Sequence, residues 1–102
     1  MASYVLTSQA LGDFRDIARY TKQRWGAAQA LKYRDELETC AELIALGGGS
    51  FKSLSEIHPE LRVGRCQHHY IYCLLKDSQP ALIVAILHER MDLMARIADR
   101  LK

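Results

Sequence analysis

The sequence predicts an α+β domain in which an antiparallel helical hairpin packs on a small antiparallel β-sheet. In the first half of the chain, apolar residues recur at three- and four-residue steps, and two such stretches meet at Gly26. The second half holds three short β-type runs separated by short polar breaks. With 102 residues, 49% of them hydrophobic, the chain has length for one core, so we treat residues 1–102 as a single domain.

A short strand and a long helix open the chain. Residues 3–6 read Ser-Tyr-Val-Leu, a β-type run. Thr7 or Ser8 can then cap a helix by accepting a hydrogen bond from a free backbone N–H. We expect this helix to end near Trp25-Gly26, where glycine allows a sharp turn. The apolar stripe of the helix comprises Leu11, Phe14, Ile17, Ala18, Thr21 and Trp25.

A second helix is expected directly after Gly26 and is predicted to end at Gly47-Gly48-Gly49. Because the link between the two helices is so short, they must lie antiparallel as a hairpin. Residues 47–60 show no periodicity and are predicted to form a loop. The inner face of the second helix comprises Ala28, Leu31, Leu37, Cys40, Ala41 and Ile44.

Three strand-like runs follow, at Leu61–Cys66, Tyr70–Leu75 and Ala81–Leu87. The short breaks between them predict antiparallel neighbours. The last run is apolar at nearly every position, which predicts a central strand covered on both faces. Residues 92–102 are predicted to form a short C-terminal helix, because Leu93, Ile97 and Leu101 recur on one side.

Charge and cysteine content restrict the class of protein. The formal net charge is +2, too small for a protein whose main task is to coat a phosphate backbone. The chain shows no signal-peptide pattern, and its longest apolar run is too short to cross a membrane. The three cysteines form an odd set, which fits a reducing, cytoplasmic setting. We therefore expect a cytoplasmic protein with no membrane segment.

Two groups of residues imitate metal sites. Cys66, His68, His69 and Cys73 offer the ligand types that zinc prefers. Because side chains alternate along a strand, Cys66 and His68 are predicted to point away from His69 and Cys73, so we expect small core cysteines and no metal. His88-Glu89 resembles the start of a metalloprotease helix, but Asp92 stands where the second histidine belongs. We expect neither a metal nor a cofactor.

Basic residues gather on or beside the predicted strands and allow two interpretations. They form either a basic face for phosphate or an acidic partner, or a dispersed set on a solvated sheet. His68 and His88 are the candidates for general acid/base catalysis near neutral pH. Asp92 belongs either to a cluster with His88 and Arg90 or to the cap of the last helix. The basic residues are Arg62, Arg65, His68, Lys76, His88 and Arg90.

Four aromatic residues lie on the predicted hairpin, namely Phe14, Tyr20, Trp25 and Tyr33. Their spacing is typical of side chains that fill a core and seal two helices together, and we favour this over ligand stacking.

Several short segments, in this order and spacing, resemble the ParE branch of the RelE/ParE toxins from bacterial type II toxin–antitoxin pairs. The resemblance spans nearly the whole chain. In the first half it rests on Tyr4-Val5-Leu6-Thr7, Ala10, Asp13-Phe14, Asp16-Ile17-Ala18, Tyr20-Thr21, Arg24-Trp25-Gly26, Gln29-Ala30, Tyr33 and Leu37. In the second half it rests on Leu61-Arg62, Arg65-Cys66, His69, Ile71-Tyr72 and, most specifically, Ile86-Leu87-His88 with Arg90-Met91-Asp92.

The resemblance implies a first strand that joins the later three, and a toxin that inhibits DNA gyrase and blocks replication without being an enzyme. It implies a ParD-like antitoxin as partner in a hetero-oligomer, and no sequence-specific contact with nucleic acid. We expect an antitoxin tail to cross the hairpin near Phe14, Tyr20, Trp25 and Tyr33. The candidates for contact with the target are Arg62, Arg65, His68, His88, Arg90, Met91 and Asp92.

The alternative is a ribosome-dependent messenger endoribonuclease, as in the RelE-type relatives that share the fold. What the resemblance to these relatives implies is a reliance on basic residues of the sheet and usually on a tyrosine or histidine near the C-terminus. Here no tyrosine follows Tyr72. His88, Arg90 and Arg65 would have to carry the chemistry, so the missing acid/base group favours gyrase inhibition.

Overall fold

The computed structural model describes residues 4–47, 51–76, 80–90 and 93–101. The elements are β1 (Tyr4–Leu6), α1 (Ser8–Trp25), α2 (Ala27–Ala45), β2 (Phe51–Ser53), β3 (Leu61–Cys66), β4 (His69–Leu74), β5 (Ala81–His88) and α3 (Leu93–Arg100). The strands form one five-stranded sheet in the order β1-β5-β4-β3-β2. The α+β architecture predicted from the sequence is confirmed.

The helical hairpin begins and turns where the sequence places it. The Thr7 hydroxyl accepts a hydrogen bond from the Ala10 N–H at 3.0 Å, which caps α1. Gly26 is the single residue between α1 and α2, and its φ of 94° lies in the region that favours glycine. At the far end α2 stops before Gly47, while Gly48 and Gly49 lie outside the described residues.

The sheet is mixed, which corrects the expectation of an antiparallel sheet. β3, β4 and β5 pair antiparallel as predicted, but β1 pairs parallel with β5 because the whole helical hairpin and three strands intervene. Phe51–Ser53, predicted to be loop, form the edge strand β2 on β3. Their side chains are all exposed, so this strand carries no burial pattern that periodicity could reveal.

Both faces of the sheet are covered, as predicted for the central strand β5. On one face, α1 and α2 bring Ala10, Leu37 and Ile44 against Ile71 and Ile83. On the other face, Ile97 of α3 packs in a cluster of mostly apolar side chains from the sheet and the 54–57 segment. That cluster comprises Leu54, Leu61, Tyr72, Val84, Ala85, Leu87 and Ile97.

A partly buried ion pair lies at the edge of β5 beyond β1. A β-bulge falls at Val84, since Tyr72 pairs with Ala85 while Cys73 pairs with Ile83. The Asp13 carboxylate accepts the Ile86 N–H at 3.0 Å, and the Arg100 guanidinium donates to the Val84 carbonyl at 3.0 Å. Asp13 and Arg100 also form two hydrogen bonds of 2.8 Å, which raise the pKa of Arg100 above its ordinary value. The pair, here called the Asp13–Arg100 clip, joins α1, β5 and α3.

Four predicted core positions on the hairpin are exposed, which corrects the sequence-based stripe. Residues 22–29 are exposed throughout, and these include Trp25 and Ala28. Leu11 and Leu31 are exposed as well, although all four continue an apolar stripe. The periodicity of a helix gives the facing direction of a side chain but not the extent of its cover.

Two of the three cysteines are joined, which the sequence did not lead us to expect. A Cys40–Cys66 disulfide ties α2 to the end of β3. Cys73 remains a free, buried thiol, and burial raises its pKa to about 11. Among the described residues, no helix is both long and apolar enough to cross a membrane.

Candidate functional site

Three of the four histidines meet where β4 begins and β5 ends. His69 and His88 are direct neighbours in the strand register, with ring centroids 5.2 Å apart. His68, in the β3–β4 turn, stacks on His88 at 6.5 Å. The predicted pair His68 and His88 is thus brought together, and His69 joins it. We call Arg65, His68, His69, His88 and Glu89 the histidine cluster.

The strand register also corrects the predicted facing of the possible metal ligands. Cys66 pairs with His69 across the tight turn, so the two side chains share a face of the sheet. Counting along the chain through the turn had placed them on opposite faces. Cys66 is bonded to Cys40, and within the described part of the chain no group of three His, Cys, Asp or Glu residues could hold a metal ion.

His69 is tied to the helical hairpin and is uncharged at neutral pH. Its Nδ1 shares a 2.6 Å hydrogen bond with the hydroxyl of Tyr33 on α2. Burial, with the neighbouring His88 and His68, lowers the pKa of His69 to about 4. Burial also raises the pKa of Tyr33, so the phenol keeps its proton. This contact anchors the site to α2.

Glu89 connects Arg65 and His68 within the cluster. Its carboxylate lies 2.9 Å from Nη2 of Arg65 and 3.5 Å from Nδ1 of His68. Its backbone N–H donates to the His68 carbonyl at 3.0 Å, and Arg65 Nε donates to the Gln67 carbonyl at 3.0 Å. These bonds hold the β3–β4 turn against the end of β5. Glu89 and His69 were not among the predicted site residues, since only the strand register shows that they face the others.

The other predicted target contacts divide into two groups. Arg62 lies away from the cluster, with its guanidinium 4.4 Å from the centre of the Phe51 ring. Arg90 is exposed beside the cluster, and its backbone N–H donates to Nδ1 of His88 at 3.1 Å. Met91 and Asp92 lie outside the described residues, so their predicted role stays a prediction.

Three side chains of the cluster already have a partner within the protein. One nitrogen of His69 is occupied by Tyr33, and one nitrogen of His88 accepts the Arg90 N–H. The charge of Arg65 is offset by Glu89 at 2.9 Å. The exposed sides of Arg65, His68 and Arg90 offer polar contacts to a partner.

We expect His69 to make the stability of the protein depend on pH. The pKa of His69 is about 4 in the folded protein against an ordinary 6.5. At pH 5 the imidazole is therefore protonated in the unfolded chain but neutral in the native state. The free energy of unfolding should therefore fall between pH 6.5 and pH 4, by about 1–2 kcal/mol once partial exposure is discounted. Urea unfolding at several pH values measures this loss.

The variant His69→Gln keeps a hydrogen-bond partner for Tyr33 but does not titrate, so its stability should lose this part of the pH dependence. His58→Gln, remote from the cluster, serves as the control and should keep it. If the free energy of unfolding falls equally with pH in the wild type and in His69→Gln, His69 is not the cause of the pH dependence.

The four hairpin aromatics fall into two classes. Phe14 and Tyr33 pack against the core and line the seam between α1 and α2, where no space remains for a water molecule. Tyr20 and Trp25 are 61% and 68% exposed. The expected core role is therefore confirmed for the first two residues and wrong for the last two.

Comparisons with known proteins agree with this fold. A family model described as "ParE toxin of type II toxin-antitoxin system, parDE" matches residues 4–93. The protein "Toxin ParE" of Escherichia coli is 55% identical over 102 residues, covering 100% of this chain and 99% of the relative. "Toxin ParE1" of Caulobacter vibrioides is 31% identical over 99 residues, covering 95% of this chain and 99% of the relative.

Among solved structures, a chain of the "Chromosomal ParDE TA system from P. aeruginosa" is similar with a TM-score of 0.68. The identity is 18%, and the similarity covers 86% of this chain and 96% of that chain, so it shows the fold alone. The family match and the relatives that align along nearly their whole length show more. On that evidence, this chain belongs to the ParE toxin family of type II toxin–antitoxin systems.

Proposed function

We propose that this toxin inhibits DNA gyrase in the cytoplasm and so blocks DNA replication, acting by binding and not as an enzyme. The observation that carries the proposal is the histidine cluster, in which Glu89 pairs with Arg65 and His69 is held by Tyr33, while Arg65, His68 and Arg90 stay exposed. Such a surface can hold a protein partner through charged and polar contacts. Met91 and Asp92 follow Arg90 in the sequence and stay candidates for contact with the target.

We propose a ParD-like antitoxin as the neutralising partner in a hetero-oligomer. A disordered antitoxin tail that folds on binding can lay an amphipathic helix across the outside of the hairpin and place an extended segment near the sheet. Tyr20 and Trp25 supply exposed aromatic area for this contact. Phe14 and Tyr33 offer only their outer edges, because both pack against the core.

Purified protein added to gyrase and relaxed plasmid is expected to abolish supercoiling and to accumulate linear, protein-bound DNA. Mixing the toxin with the antitoxin beforehand should restore supercoiling. Agarose gels run with and without protease treatment measure both products. Folded toxin that leaves gyrase untouched at high excess would contradict the proposal.

The variant His88→Ala/Arg90→Ala separates binding from ribonuclease chemistry. If the surface binds gyrase, the concentration needed for half inhibition should rise by up to about 100-fold, as expected for loss of a few interface contacts. A ribonuclease would instead lose several orders of magnitude in rate. Lys52→Ala/Arg96→Ala, on exposed positions elsewhere, is the control. Cleavage of messenger RNA on translating ribosomes by the wild type would favour the enzyme.

A further inference from the structure

Positive charge is concentrated at the free end of the helical hairpin. Residues 17–34 hold five basic residues and no acidic residue, whereas the rest of the chain carries a net charge of −3. The overall charge of +2 therefore conceals a local charge of +5 in 18 residues. Asp35, Glu36 and Glu38 follow directly on α2, so the charge changes sign along the hairpin.

The cations nearest the turn have no acidic partner. Arg19 lies 3.6 Å from Asp16, and Arg34 lies 3.6 Å from Asp35, so these two are partly offset. Lys22 and Arg24 are exposed and make no ion pair with any described residue. They lie in the last turn of α1 with Trp25, which is 68% exposed. Lys32 lies instead along a groove with Asp35, Glu36 and Gln67. We call Lys22, Arg24 and Trp25 the hairpin tip.

The hairpin tip carries the side chains that bind a phosphate backbone. Residues 17–34 include no carboxylate that would repel phosphates. Contacts to phosphates need only exposed Lys and Arg side chains, because binding is driven by counterion release. The exposed indole of Trp25 adds an N–H that can donate to a phosphate oxygen.

We infer that the hairpin tip binds the sugar–phosphate backbone of duplex DNA without sequence preference. This inference goes beyond the proposed function and is measured in the absence of gyrase, so either can fail alone. It is also consistent with the modest net charge, because a contact through a few local cations does not require a basic protein.

The test is titration of a short fluorescein-labelled duplex with the protein, followed by anisotropy, at several salt concentrations. We expect a Kd of about 10–100 µM at low salt and equal affinity for two unrelated sequences. The variant Lys22→Gln/Arg24→Gln should bind at least about 10-fold more weakly, with the slope of log K against log salt reduced by about 2. In the wild type, the fluorescence of Trp25, the sole tryptophan, should change as DNA is added and then reach a plateau.

The control is Lys52→Gln/Arg96→Gln, which removes the same charge from exposed positions outside the tip. It should keep the affinity of the wild type. Three results would overturn the inference: no binding at low salt, equal weakening by both double variants, or no change in Trp25 fluorescence. An oligoglutamate peptide that binds more tightly than DNA, with the same loss in the tip variant, would instead assign the tip to an acidic protein.

Discussion

Replacing Arg100 with Met is expected to lower the free energy of unfolding by about 3–5 kcal/mol. The substitution removes both hydrogen bonds to Asp13 and the one to the Val84 carbonyl, and it leaves a largely buried carboxylate without its counter-ion. The side chains of Arg100 and Asp13 are only 18% and 16% exposed, so water replaces little of the loss. Denaturant unfolding, with the midpoint and the slope fitted separately, measures it.

Two further variants test the cause of this loss. Asp13→Asn/Arg100→Met should be more stable than Arg100→Met alone, because no charge is then left without a partner while the amide oxygen still accepts the Ile86 N–H. Arg19→Met breaks the exposed pair with Asp16 and should cost less than about 1 kcal/mol. A cost for Arg100→Met as small as that of Arg19→Met would mean that the Asp13–Arg100 clip adds little to stability.

Reduction of the Cys40–Cys66 disulfide is expected to lower the free energy of unfolding by about 3.5 kcal/mol, from the chain entropy of the unfolded state. The bond closes a loop between residues 26 positions apart and ties α2 to the end of β3. Urea unfolding with and without excess reductant measures the difference.

The matched control for this experiment is Cys40→Ala/Cys66→Ala, whose midpoint should not respond to reductant. Cys73 is buried and free, so it should react with an alkylating agent only after unfolding. If the wild type shows the same midpoint in both conditions, the disulfide does not limit its stability.

Local patterns in the sequence account for most of the fold. The Thr7 cap, the Gly26 turn and the apolar run of β5 each act over a few residues, and each is found as predicted. Edge strand β2 was missed because its residues are exposed, and the parallel pairing of β1 was missed because it joins residues almost 80 positions apart. Neither feature leaves a short-range signal.

The candidate site was predictable only in part, for the same reason. Arg65, His68 and His88 were predicted from the sequence, because basic and titratable residues next to predicted strands can be recognised without the structure. The partners that orient them, Tyr33, His69 and Glu89, come from α2, β4 and the end of β5. Their convergence depends on strand register and on helix packing, which the spacing of residues within one segment does not encode.

The Asp13–Arg100 clip and the parallel pairing of β1 with β5 also bear on how the protein is made. Both join segments far apart in the sequence, so a growing chain holds β1 and α1 without their permanent neighbours until β5 and α3 have been made. Contacts of such long sequence separation slow folding. A chain that stops before Arg100 leaves the Val84 carbonyl and the Asp13 carboxylate without the guanidinium, so this part of the fold assembles only after α3 has been translated.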